Sequence, residues 1–249
     1  MNEPRLTVAS FSVPKAGNEA TENEDAWAVH RLTEDCYRIA VADGATESSF
    51  SQLWAALLVE TFTQSATLDA DELLASLEVP RAVWQEFVGK RPLPWYAQEK
   101  AKMGAFAALL GLTVDVELKR WHALAVGDCN LFQLDGVRFI EAFPLTRSSE
   151  FGMSPFLLGT NAASDTEVGG LVVASTGTVR PGDTLLLASD ALSAWMLLKA
   201  EQGRSVWQTM LEVDEHGFGE LVASARADGL HNDDTTLVRV TFGDDDGVA

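Results

Sequence analysis

The stretch from Met103 to Ile140 places four strand-like segments in succession with no helix-length interval between them. Met103–Val116 and Lys119–Val126 flank a polar turn, and Leu131–Leu134 and Val137–Ile140 flank Asp135-Gly136, the strongest short hairpin signal in the chain. Parallel neighbours need a crossover of a dozen or more residues, so strands joined this tightly pair antiparallel. Further strand patterns precede this run at Leu6–Val13, Ala26–Arg31 and Cys36–Ala42, and two follow it at Asp183–Ala188 and Thr235–Phe242. Helical spacing is confined to two blocks. The first holds Ser51–Phe62, Asp69–Leu77 and Arg81–Val88, with Pro80 breaking between the last two and Pro92 and Pro94 ending the block. The second holds Ala191–Ala200, Val206–Glu212 and Gly219–Ala227. Segregated strands and helices predict an α+β fold built on mainly antiparallel sheets. No repeat or Gly/Ser linker divides the chain, so residues 1–249 read as one domain.

The charge balance excludes several functions. Eighteen Lys and Arg stand against 37 Asp and Glu, a formal net charge of −19. Such a chain repels phosphate backbones and anionic bilayers, so neither nucleic acid nor a membrane is an expected partner. The longest nearly apolar run, Met103 to Val114, is shorter than the ~18–20 residues of a spanning helix. The N-terminal residues lack a signal layout, and Cys36 and Cys129 form no paired motif, so a reducing cytoplasm is the expected location. Both cysteines read as small core residues. The four histidines, His30, His122, His216 and His231, have no ligand spacing, and no phosphate-binding loop, dinucleotide fingerprint or nucleophile elbow occurs. Asp69-Ala-Asp71 opens a helix, which makes Asp69 a cap.

Acidic residues recur where strands open into loops. Glu24-Asp25 precede one strand, Asp43-Gly44 follow another, Asp190 follows Asp183–Ala188, and Asp233-Asp234 precede Thr235–Phe242. A single Asp in such a place is an ordinary turn residue. Several of them converging would repel one another unless cations neutralised them, and hard divalent ions take oxygen ligands.

The ordered series NEDA (Asn23–Ala26), VADGA (Val41–Ala45), AVGDCNLF (Ala125–Phe132), LLLASDAL (Leu185–Leu192) and NDDTTLVRV (Asn232–Val240) resembles the metal-dependent serine/threonine protein phosphatases of the PP2C (PPM) family in a divergent, bacterial-type form. The resemblance implies a four-layer α/β/β/α sandwich with a binuclear Mn²⁺ or Mg²⁺ site at one edge. It implies that Asp43 bridges the two ions with the Gly44 carbonyl on one of them, and that Asp190 and Asp233 bind the other. Asp43, Asp190 and Asp233 would then be the catalytic set, Glu24 would act directly or through water, and Asp25 would support the site. Asp128 is structural in this scheme. The implied reaction is attack of metal-activated water on a phosphoserine or phosphothreonine, and the implied partner is a phosphoprotein made by an opposing kinase.

The sequence departs from the family pattern in three places. The arginine that grips phosphate, four residues before the NED glutamate, is Ala20, which leaves Lys15, Arg5 and Arg31 open as replacements. DGATESS stands where many eukaryotic members have DGHGG. Ala194 stands where an acid associated with a third metal is often found. Ala20 and Ala191 motivate the alternative of a pseudophosphatase or binding module of the same fold, and residues 141–170 read as an irregular flap beside the site.

Overall fold

The computed structural model describes residues 6–46, 48–65, 69–152, 155–162 and 170–243. Arg5 and the acidic Asp244–Asp246 tail lie outside these, as do parts of the 141–170 segment. One sheet has the order β1 (Leu6–Val13), β11 (Thr235–Phe242), β10 (Asp183–Ala188), β6 (Asn130–Asp135), β7 (Arg138–Phe143). The other has the order β2 (Asp25–Arg31), β3 (Cys36–Gly44), β4 (Phe106–Asp115), β5 (Arg120–Val126), β9 (Val173–Thr178), with the short β8 (Leu158–Gly159) also on β4. Every described pairing is antiparallel.

Period-two alternation builds the layers. In β10, Leu185 and Leu187 join Ile39, Val41, Leu110, Leu112, Val238 and Val240 between the sheets. Leu186 and Ala188 face the other way, onto a second core with helices α5 (Asp190–Glu201), α6 (Trp207–Glu212) and α7 (Glu215–Ala227). In β3, Ile39 and Val41 point into the seam while Ala40 and Ala42 point out to Trp54, Leu58 and Phe62 of α1 (Ser51–Gln64). The outcome is the α/β/β/α sandwich expected from the sequence. Close approach of α1 depends on Gly111, because a Cβ there would stand 2.3 Å from the Phe62 ring.

Some boundaries differ from the sequence reading. Pro80 does not break a helix: it is the third residue of α3 (Glu78–Gly89), in a first turn whose N–H groups have no intrahelical acceptor anyway. Pro94 does not end the helical block but caps α4 (Trp95–Lys102), so Met103 closes a helix and β4 begins at Phe106. Strand β9 gave no signal, since VASTGT is a half-exposed edge strand without apolar alternation. The irregular 141–170 segment contains the end of β7, a 3-10 turn at Ser148–Glu150 and β8. Asp69 caps α2 (Ala70–Ser76), its carboxylate accepting the Glu72 amide at 2.9 Å.

Candidate metal centre

The ladders bring the predicted carboxylates to one end of the sandwich. Asp43 continues the Ile39–Val41 row at the end of β3, so its side chain opens at the mouth of the seam between the sheets. Asp25, first residue of β2, is its direct cross-strand partner. Ala188 pairs with both Leu237 and Asn130, which puts Asp190, Asp233 and Asp128, each a few residues beyond those ladders, at the same end. All five of these aspartates converge. Asp43 feels the charges of Asp25, Asp190 and Asp128, and Asp190 feels that of Asp233.

Their electrostatics are those of carboxylates packed against one another, with His231 acting on Asp190 in the opposite sense. Burial, more than any neighbour, pushes Asp25 up to about 8, with Asp234 and Asp190 adding to the effect. Both Asp25 carboxylate oxygens are buried and make no hydrogen bond. The nearby Ser189 and Thr236 hydroxyls pull its pKa down; Ser189 Oγ also accepts the Thr236 amide at 3.0 Å, and Thr236 Oγ1 meets Ser12 Oγ at 2.8 Å. Asp43 is raised well above the carboxylate range by burial and then by Asp25, Asp190 and Asp128. Asp43 and Asp190 are in hydrogen-bonding contact, which requires one of them to keep its proton. Asp128 is raised to about 7 by burial and the Asp190 charge. Cys129, buried beneath the cluster, has its thiol raised by burial and then by these carboxylates, as suits an inert core residue.

A second set of contacts fixes the loops that carry these groups. Asp234 is buried, and its two oxygens accept the amides of Lys15 at 2.8 Å and Glu24 at 2.7 Å. Asn232 makes paired bonds with Ala16, Oδ1 accepting its amide at 2.7 Å and Nδ2 donating to its carbonyl at 3.4 Å. Arg226 donates to the carbonyls of Pro14 at 2.9 Å and Asp233 at 2.8 Å. On the opposite side the Ser51 hydroxyl, at the start of α1, donates to the Glu24 carboxylate. The Gly44 amide donates to the Glu24 carbonyl at 3.2 Å, and a Cβ on Gly44 would stand 2.9 Å from both that oxygen and Ser51 Cβ.

Glu24, Asp25, Asp43, Gly44, Asp190 and Asp233 therefore occupy one site. Among the described residues, no three His, Cys, Asp or Glu side chains form a ready ligand set. The carboxylates close on each other through the Asp43–Asp190 contact. The donor chemistry still fits divalent cations: the groups are all oxygen, and two buried carboxylate oxygens make no hydrogen bond. Sequence reasoning set Asp128 apart as structural, yet it stands within the cluster. It missed Asp234, Ser51, Asn232 and Arg226 as supports, of which only the doubled acid Asp233-Asp234 carried any signal. Of the cations proposed for the role absent at Ala20, Arg31 is at the far end of β2, donating to the Thr33 carbonyl at 3.0 Å and the Glu34 carbonyl at 2.8 Å. Lys15 lies on the loop clamped by Asp234. His231 is exposed, its Nδ1 3.9 Å from Asp233.

A family model described as protein phosphatase 2C matches residues 16–219. No curated protein is significantly similar to the chain. Among solved structures, a bacterial serine phosphatase aligns with a TM-score of 0.65 at 15% identity over 97% of this chain and 100% of that one. The Mycobacterium tuberculosis serine/threonine phosphatase PstP/Ppp aligns with a TM-score of 0.61 at 13% identity, over 96% and 99%. The catalytic domain of PstP in complex with two manganese ions gives 0.62 at 16% identity, over 96% and 99%. These likenesses, at low identity, are likenesses of fold, and the family model covers most of the chain. The chain belongs to the protein phosphatase 2C family and has that family's serine/threonine phosphatase fold.

Proposed function

We propose that the protein is a metal-dependent phosphatase hydrolysing phosphoserine or phosphothreonine in proteins, as a single domain spanning residues 1–249. Glu24, Asp25, Asp43, Gly44, Asp190 and Asp233 would hold two Mn²⁺ or Mg²⁺ ions, with Asp43, Asp190 and Asp233 the catalytic set. The observation that carries this reading is Asp25, whose two buried oxygens lack any partner while it faces Asp43 across a ladder. A structured PstP catalytic domain with two manganese ions supports the choice of cation. When bound, the ions supply Lewis acidity, lowering the pKa of water and neutralising phosphoryl oxygens. The chain's own part is orientation. Asp234 fixes the backbone that presents Glu24, and Ser51 sets the Glu24 carboxylate. Asp190, at the N-terminus of α5, is held by the Ala191 amide. An acidic protein then accepts an anionic substrate, because bound cations reverse the local sign. Action in the cytoplasm against a Ser/Thr kinase completes the reading.

Ala20 favours a second reading, in which the same fold binds a partner with little turnover, because an arginine fork holds phosphate oxygens bidentately and alanine cannot. Assays of p-nitrophenyl phosphate and a phosphothreonine peptide with Mn²⁺ separate the two. Turnover abolished by chelator and by Asp43→Asn supports the enzyme, and turnover that survives both refutes the metal mechanism. Metal binding without turnover on any phosphopeptide supports the second reading.

A further inference from the structure

We propose that Arg91 reads an anionic group beside the phosphorylated residue of a polypeptide substrate, a proposal that rests on the phosphatase reading above. A site built from aspartates in a chain of net charge −19 repels substrates that carry acidic residues near the phosphate, unless a cation stands at its rim. Arg226 is engaged behind the site by the carbonyls of Pro14 and Asp233, and Arg31 by those of Thr33 and Glu34. Arg91 is placed differently.

Helices α1 and α3 bring the end of α3 to the start of α1. Trp84 Nε1 donates to the Phe50 carbonyl at 3.3 Å, and one turn later the Phe87 ring meets the Phe50 ring edge-on at 6.0 Å. Beyond α3, the Arg91 guanidinium lies 4.1 Å from the Phe87 centroid and 5.6 Å from that of Phe50. Phe50 is the residue before α1 and has φ 58, in the left-handed region that a bulky side chain rarely adopts. That turn aims the ring at α3 while the next residue, Ser51, reaches the Glu24 carboxylate. Phe50 and Ser51 are consecutive, so the Arg91–Phe50 and Ser51–Glu24 contacts link the guanidinium to the Glu24 edge of the carboxylate site.

Stacking engages the face of a guanidinium and leaves its N–H edge for a bidentate oxyanion. Arg91 is exposed, and among the described residues no carboxylate or carbonyl takes those N–H groups. The rings also limit its rotamer freedom, which lowers the ordering cost of binding. Arg91 is linked to the site through Phe50 and Ser51 and, among the described residues, makes no contact with its carboxylates, so the two address different groups. The phosphoryl group belongs to the carboxylate end, and Arg91 takes a neighbouring Asp or Glu carboxylate or a second phosphoryl group.

The test uses full-length protein with Mn²⁺ and three phosphothreonine peptides, carrying neutral flanks, glutamate flanks or a flanking phosphoserine. Wild type is expected to show a lower KM for an anionic peptide than for the neutral one. Arg91→Gln should raise that KM about fivefold while kcat, the neutral peptide and p-nitrophenyl phosphate stay unchanged. Arg91→Lys should fall between. The glutamate and phosphoserine arms tell which oxyanion is read. Absence of any anionic preference in wild type, or an equal effect of Arg91→Gln on every substrate, overturns the proposal. If wild type turns over no substrate, the phosphatase reading fails by itself, and anisotropy binding of the same peptides decides the matter. Tighter binding of anionic peptides to wild type than to Arg91→Gln sustains the role of Arg91, and equal binding overturns it.

Discussion

Asp25 and Asp43 stand directly opposite one another in the β2–β3 ladder, two like-charged groups in a position where sheets ordinarily place complementary ones. In the metal-free protein this pair is an internal source of instability, and its size depends on pH. Asp25 is raised to about 8 and Asp128 to about 7, against an ordinary carboxylate value of about 4. The folded state therefore binds these protons more tightly than the unfolded state. That contribution to stability is fully present below about pH 4 and is lost as pH rises through about 7 to 8. Thermal unfolding with chelator should give a midpoint that falls between about pH 5 and about pH 8. Mn²⁺ should raise the midpoint most at the upper end, where the carboxylates are free to bind it. A chelated midpoint that climbs over this range would contradict the assignment of the cluster.

Asp234 ties two loops together through one buried carboxylate. Asp234→Ala removes the acceptor for the Lys15 and Glu24 amides and leaves both short of a partner, a loss of about 3 kcal/mol. Asp234→Asn keeps the shape but offers only one acceptor oxygen, so it should lose less. Urea denaturation measures the stability. Calorimetric titration with Mn²⁺ should show weaker binding in the alanine variant, because Glu24 no longer has a fixed backbone. Unchanged metal affinity would mean that the clamp serves folding alone.

These two cases also mark how far the sequence could be read. The strands were legible because Leu185 and Leu187 alternate with Leu186 and Ala188 between two cores, and period two is visible in one dimension. The hairpin at Asp135-Gly136 was legible because Gly136 takes φ 56, which the dipeptide favours. Strand β9 was not, since an edge strand is held by its ladder to β5 and needs no apolar row. In the site, the strand-end positions of Asp25, Asp43, Asp190 and Asp233 singled them out as candidates, and the ladders bring them to one end of the sandwich. The clamp by Asp234 was hidden because its partners are backbone amides 219 and 210 residues away, and any residue has an amide. The nearness of Asp128 to Asp190 was not legible, because it depends on which strands are neighbours, and no spacing along the chain encodes that.

Gly44 is required by contact, not by conformation. Gly44→Ala would place a Cβ 2.9 Å from the Glu24 carbonyl oxygen and 2.9 Å from Ser51 Cβ, both parts of rigid elements. Relief requires β2 or α1 to shift, at a cost of about 1–3 kcal/mol. Either shift displaces Glu24 relative to Ser51, so Mn²⁺ affinity should fall along with stability. Isothermal titration beside urea denaturation reads both. A variant that loses stability but keeps full metal affinity would show that the contact does not position the site.

Asp43→Asn should separate stability from function. In the metal-free protein Asp43 is crowded by Asp25, Asp190 and Asp128, and burial alone already disfavours its charge. An amide of the same shape removes that repulsion and can donate a hydrogen bond to Asp190. The chelated variant should therefore be at least as stable as chelated wild type, with a margin that widens as pH rises and Asp43 loses its proton. With Mn²⁺ present the order should reverse, because wild type gains binding energy that the variant lacks. Turnover of p-nitrophenyl phosphate should drop at least ~100-fold. Paired melting curves with chelator and with Mn²⁺ test the crossing directly. If Asp43→Asn is destabilised under both conditions, Asp43 holds the end of β3 as a structural residue, and its assignment to the metal site fails.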